Sequence, residues 1–194
     1  VARLPRLCSI NLTGRARDSQ RQKVYEWGWA MEKLSPVPTY RSLMSLEDAE
    51  AYVAKVWADY RSSPPPRVVD GRGRAKASGS MHRIALPKWA RQPATILHEL
   101  AHGLTDAISD NHAWHGPEYA RCLLELYARY LKVPKRAALE LAANYRVKIA
   151  AVAACPQPLD REEKRLSAEV SRLRAELKTA ETALRAHRDK KRGV

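Results

Sequence analysis

The chain has 194 residues, 45% of them hydrophobic, and a formal net charge of +14. That length supports one domain with a sizeable core plus an appendage, and the hydrophobic share is ordinary for a globular protein. No apolar run approaches the roughly 20 residues that cross a bilayer, which excludes a helical span within the sequence. Cys8, Cys122 and Cys155 are odd in number and lack paired spacing, which argues against a disulfide framework and for a reducing, cytoplasmic setting.

Residues 1–17 read as an irregular basic arm without the apolar stretch of a secretory signal. Asp18 suits the N-cap of a helix. Val24, Trp27, Met31 and Leu34 then follow helical spacing and predict a buried stripe, ended by Pro36 and Pro38. Ser45-Leu46-Glu47-Asp48 resembles a capping box with Asp in place of Glu. The helix behind it should turn Ala49, Val53, Val56, Trp57 and Tyr60 inward. Ser62-Ser63-Pro64-Pro65-Pro66 breaks the chain. Arg67-Val68-Val69 is a short strand candidate, Asp70-Gly71-Arg72-Gly73 is turn chemistry, and residues 81–86 read as a second strand ended by Pro87.

A helix is predicted over about 93–108, and it carries His98-Glu99-Leu100-Ala101-His102. Positions i and i+4 share one helix face, so both imidazoles can reach one metal ion. Glu99 projects nearby and suits a general base, which is the zinc-hydrolase reading of H-E-x-x-H. A catalytic zinc needs three protein ligands and an open position. His112, His115, Glu118 and Glu125 are the downstream candidates for the third. Ser109-Asp110-Asn111 supplies a turn, and Pro117 with Glu118 suits the first turn of a new helix, which sets His115 just ahead of it. The long metzincin layout fails, because Thr105 and Ile108 stand where it needs Gly and His. Glu125 reads either as a ligand or as a solvent-facing helix residue, and His112 either as a residue assisting the site or as a loop histidine.

The new helix should run from about Pro117 to Leu131, with Leu123, Leu124, Leu126, Tyr127 and Tyr130 on its apolar face and Cys122 as a small core residue. Another Ala- and Leu-rich helix is expected over about 134–154, followed by a Cys155-Pro156-Gln157-Pro158 linker. From Leu159 onward, Leu166, Val170, Leu173, Leu177, Ala180 and Leu184 alternate at spacings of four and three. This heptad stripe could pair two copies through residues 159–187 or fold back on the domain. The excess positive charge lies mainly upstream of residue 93, where Arg67, Arg72, Arg74, Lys76 and Arg83 cluster. Such a patch could steer DNA or an acidic partner, or be only a solvated surface. The expected architecture is α+β: a mostly helical metallohydrolase domain over 18–154, with a small β-sheet or hairpin before the active-site helix. Residues 155–194 add the linker and a coiled-coil-like C-terminal helix.

His98-Glu99-Leu100-Ala101-His102, a short polar loop and His115-Gly116-Pro117-Glu118-Tyr119 together resemble the SprT-like (Spartan-type) zincin metalloproteases, which carry H-E-x-x-H followed by H-G-x-x-aromatic. Arg17-Asp18-Ser19-Gln20-Arg21, with Ile84-Ala85-Leu86-Pro87-Lys88-Trp89-Ala90-Arg91, is similar to a group of small metallohydrolase-like proteins of mycobacteria and their phages. The first resemblance implies His98, His102 and His115 as zinc ligands, Glu99 as catalytic acid/base and a protein or peptide substrate. It also implies that Arg83, Ile84 and Ala85, on the strand ahead of the helix, align an extended peptide at the cleft. His82 would then be a cleft residue or an outward strand residue. His112 or Tyr119 would assist from nearby or donate a hydrogen bond in the transition state. The chain departs from the Spartan type in lacking a Cys-x-x-Cys pair, so a DNA–protein crosslink substrate does not carry over. A different class of function stays open: a nucleic-acid-associated scaffold with a non-catalytic zinc site.

Overall fold

The computed structural model describes residues 16–108 and 112–192. Most of the basic arm, Cys8 and the Ser109-Asp110-Asn111 turn lie outside the described residues. Among those described, six α-helices and three short strands give the expected α+β architecture. The described chain divides into two units. One holds the residues up to Trp57 and then Pro65–Gln157; the other holds Ala58–Pro64 with the residues from Pro158 onward.

In the first unit, α1 (Arg21–Glu32) buries Val24, Trp27 and Met31, while Leu34 lies past its end and is exposed. Trp27 donates its indole N–H to the Ala138 carbonyl at 2.9 Å, which satisfies the one polar atom of a fully buried ring. Asp18 does not cap this helix: Gln20 holds the N-cap position, without a side-chain cap. α2 (Leu46–Ala58) starts on the expected box, the Asp48 amide donating to Ser45 Oγ at 3.0 Å. Ala49, Val53, Val56 and Trp57 are buried along it; Tyr60, a residue of the second unit, is buried too.

The sheet has the order β1-β3-β2, with β1 (Arg67–Asp70), β2 (Ser78–Gly79) and β3 (Arg83–Leu86). β1 runs parallel to β3, Val68 opposite Ile84, so these two are not a hairpin. A parallel pair needs a crossover of about a dozen residues. Here the connection first turns at Asp70, whose carboxylate accepts the Arg72 amide at 3.0 Å, and then lays down β2 antiparallel to β3. An ion pair from Arg91 to Asp70 at 2.9 Å ties the end of β1 to the entry of the next helix.

That helix is α3 (Pro93–Asp106), and nearly all of it is buried. Pro93 suits its first turn, where the missing N–H leaves nothing unpaired. No side chain caps it; the Tyr40 carbonyl accepts the Ala94 amide at 3.1 Å instead. Ile96, Leu97, Leu100, Ala101 and Leu104 are buried on it. It packs chiefly on α4 (Pro117–Tyr130), whose Leu123, Leu124, Leu126 and Tyr127 are buried. Two tyrosines of α4 bond the backbone of α3, Tyr119 to the His98 carbonyl at 3.2 Å and Tyr127 to the Ala94 carbonyl at 3.3 Å. They fix the axial register of the two helices.

α5 (Lys135–Asn144) ends ten residues before the expected limit near Ala154. Arg146 takes a left-handed φ of 54°, the Arg146 amide bonds Ala143 O at 3.0 Å and the Val147 amide bonds Ala142 O at 2.8 Å. This is the Schellman stop, usually made by glycine. The Gln20 side chain then takes over both backbone groups of Lys148, accepting its N–H at 2.9 Å and donating to its carbonyl at 3.0 Å. Those tertiary bonds replace helical ones, and only a short 3-10 turn at Val152–Ala154 follows.

In the second unit, α6 (Arg161–Arg192) starts on a reciprocal cap. The Asp160 amide donates to Glu163 and the Glu163 amide to Asp160, each at 2.8 Å. Lys164 pairs with Asp59. Leu166, Val170, Leu173, Leu177 and Leu184 are all exposed along the stripe. None of the helices among the described residues is long and apolar enough to cross a membrane.

Candidate metal centre

α3 presents His98 and His102 one turn apart, their ring centroids 5.4 Å from each other. The third imidazole comes from the segment ahead of α4. There the Gly116 amide bonds Ala113 O at 2.9 Å, closing a tight turn, and Pro117 opens the helix. Trp114 lays its ring edge-on to His102 at 5.6 Å, which holds the turn against α3. His115 thereby lies 4.9 Å from His102 and 5.7 Å from His98, centroid to centroid. One nitrogen from each of the three rings falls within 4.8 Å of the others, a grouping that could hold a metal ion.

The ring of His115 has its two nitrogens in different roles. Nδ1 bonds a carboxylate oxygen of Asp18 at 2.8 Å, and Nε2 is buried with no hydrogen-bond partner. A buried imidazole nitrogen left so is unusual. It is the arrangement of a metal-ligating histidine, whose second nitrogen donates to a carboxylate that fixes tautomer and orientation. Burial lowers the His115 pKa, opposed by Asp18, and burial lowers that of His98 to about 3, assisted by His115 and Arg21. Both shifts favour the neutral imidazole, which is the ligating form.

Tyr119 packs against all three rings, at 5.4, 4.3 and 5.0 Å from His98, His102 and His115. Its hydroxyl donates to the His98 carbonyl at 3.2 Å, which ties the ring to α3. Tyr25 of α1 stacks on His98 at 5.4 Å and 11° and tilts over His115 at 5.0 Å. Arg21, one turn earlier, donates to the Tyr25 hydroxyl at 3.5 Å.

Glu99 is buried beside the cluster. Burial raises its pKa to about 8, offset in part by a hydrogen bond from the Gly79 backbone. β2 can approach α3 this closely only because residue 79 is glycine: an added Cβ would stand 2.2 Å from the Glu99 carbonyl oxygen. β2 is a sheet edge, paired on one side only. Ser78 and Gly79 line a cavity of about 280 Å³ with His98, Glu99, His102, Trp114 and His115.

The remaining candidates stand elsewhere. His112 is buried with Nε2 3.3 Å from Asp106 and is not in the three-histidine group. Glu125 is half-buried and pairs with Arg121 at 3.5 Å and with Lys135 at 2.5 Å. Glu118 sits in the first turn of α4, outside the group. Arg83, Ile84 and Ala85, expected at a substrate-aligning edge, belong to the central strand. Its backbone is taken by β1 on one side and β2 on the other, and Ile84 and Ala85 are buried. His82 is exposed ahead of that strand. Arg67, Arg72, Arg74, Lys76 and Arg83 are all exposed, and Lys76 borders a second cavity beside His98 and Glu99.

Asp18 and Tyr25 are the site residues that the sequence pattern did not single out for this role. Asp18 reads as a helix cap and Tyr25 as one aromatic residue on a helix. The only local signal was the Arg17–Arg21 run, on which the resemblance drawn from the sequence partly rests. Compared with known proteins, the chain matches no family model, no curated protein and no solved structure.

Proposed function

We propose that this protein is a zinc-dependent hydrolase that cleaves peptide bonds, with His98, His102 and His115 as the metal ligands and Glu99 as the general base. The observation that carries the reading is the meeting of His115, from outside α3, with the i, i+4 pair beside a buried Glu99. Three imidazoles suit zinc, and three protein ligands rather than four are the pattern of a catalytic site. The resemblance to SprT-like zincins rests on the same residues.

A zinc ion held by His98, His102 and His115 would supply a Lewis acid there and acidify a bound water. The positive charge of that ion would counter the burial that raises the Glu99 pKa, so that an ionised Glu99 would take the proton from the attacking water and hand it to the leaving amine. Asp18 holds His115 in the ligating tautomer, and Tyr119 packs the three rings. Arg21 and Tyr25 border the cavity and offer donors to a substrate carbonyl. The β2 edge supports a peptide substrate, since an extended chain can add to it as a further strand across the cluster.

The test is Glu99→Gln, compared with wild type at equal zinc content on an unfolded protein substrate. Cleavage should fall by about 100-fold or more, the usual contribution of a general base. Equal rates at equal zinc would remove Glu99 from the chemistry. No zinc-dependent cleavage by wild type would remove the hydrolase reading and leave a non-catalytic metal site.

A further inference from the structure

A second cavity, of about 410 Å³, opens beside His98 and Glu99 on the side away from His102 and His115, between α1, the Lys88–Ala90 turn and α3. This is within the range of small-ligand sites, roughly 300–1,000 Å³. Its walls are Trp29 and Trp89, 55% and 52% exposed. Two half-exposed tryptophans facing one cavity are a larger apolar outlay than solubility favours. The cavity adjoins the metal centre, sharing His98 and Glu99 with the cavity there, and a row of rings runs between them: His98 lies against Tyr25 at 5.4 Å, and Tyr25 beside Trp29 at 6.5 Å and 23°.

Gly28, between the buried Trp27 and the exposed Trp29, lines this cavity. It stands in the interior of α1, where glycine is the poorest helix former after proline. Packing does not require it, because a Cβ built there meets no heavy atom within 4 Å. The residue is nevertheless buried, so the space above it is the cavity itself. Any larger side chain at 28 would occupy that space. Of the two acidic groups in the lining, Glu32 is engaged by Arg41 at 2.9 Å and by the Tyr127 hydroxyl at 3.2 Å, and Glu99 is the buried carboxyl beside the three histidines; of the two cations there, Arg21 donates to the Tyr25 hydroxyl and Lys76 is exposed at the border.

We infer that this cavity is the specificity pocket of the site, that it takes a large aromatic or apolar side chain of the residue beside the scissile peptide bond, and that Gly28 keeps it open. This rests on the hydrolase reading above for the word scissile, but the pocket itself can be tested without turnover.

Two measurements are made on wild type and Gly28→Leu. Zinc-loaded protein digests a mixed peptide library, and the residues flanking each cut are read by mass spectrometry. In parallel, the five indole N–H signals of the ¹⁵N-labelled protein are followed during titration with N-acetylphenylalaninamide and with N-acetylalaninamide. Wild type should cut beside Phe, Tyr, Trp, Leu or Met roughly tenfold or more over Ala and Gly, the factor that burial of one such side chain contributes. The phenylalanine amide should shift the Trp29 and Trp89 signals and the alanine amide should not. Both effects should vanish in Gly28→Leu. If that variant does not fold, Trp89→Ala carries the same comparison. Cleavage without a flanking preference, or a preference and shifts that survive Gly28→Leu, would overturn the pocket and leave the hydrolase standing. Indole shifts without any cleavage would support the pocket and overturn the hydrolase.

Discussion

Asp18→Ala should weaken metal binding while every ligand stays in place. In the native protein a carboxylate oxygen of Asp18 lies 2.8 Å from His115 Nδ1, and the other ring nitrogen, buried without a hydrogen-bond partner, is the proposed ligand. Without Asp18 the ring loses the partner that fixes its tautomer, and a part-buried donor is left unmatched. Removing such a carboxylate partner typically costs 10- to 100-fold in metal affinity. That is about 1.4–2.7 kcal/mol of binding free energy. Asp18→Asn retains an oxygen acceptor without the charge, so its loss should fall at the low end of that range. The assay is zinc competition against a fluorescent chelator, with circular dichroism confirming the fold of each variant. Unchanged affinity in Asp18→Ala would refute the reasoning. Asp18 would then matter, if at all, to the start of α1, where the structure gives it no capping bond.

Gly79→Ala should destabilise the protein by about 1–3 kcal/mol, the usual range for overpacking, because its methyl would stand 2.2 Å from the Glu99 carbonyl oxygen and push β2 off α3. Urea unfolding reads this, and a variant as stable as wild type would contradict the close approach. The metal-free protein should also lose stability in acid. The folded pKa of His98, about 3, lies below its ordinary 6.5. Between those values the unfolded chain binds more protons than the folded one. The contribution is therefore complete above pH 6.5 and lost as pH falls towards 3. Urea midpoints measured across that window should fall with acidification, and less steeply in His98→Gln. An equal slope in the two proteins would show that His98 is not buried in its neutral form.

What could be read from the sequence was local. His98 and His102 share a face because the helix repeat dictates it, and the buried stripes of α1 and α4 follow from the same period. The start of α4 was legible from Pro117 and Glu118, whose preferences act over a few residues, whereas the tight turn from Ala113 to Gly116 was not singled out. Asp18 is a different case: it meets His115 across 97 residues, and no local preference distinguishes a carboxylate that caps a helix from one that bonds a distant imidazole. Tyr25 acquires its place over His98 only when α1 docks beside α3. β2 is two residues long and has no periodicity to detect. Its presence turns β3 into an inner strand, so that Ser78-Gly79 rather than Arg83-Ile84-Ala85 forms the edge on that side of the sheet. The early end of α5 has a similar cause, since the composition stays helical to Ala154 but Gln20 claims the backbone of Lys148.

The most direct test of the metal centre is zinc per chain, measured by elemental mass spectrometry on wild type and on His115→Ala prepared side by side. A centre of three imidazoles predicts about one zinc per wild-type chain and a clear loss in the variant. No zinc in wild type after reconstitution, or equal zinc in both proteins, would contradict it.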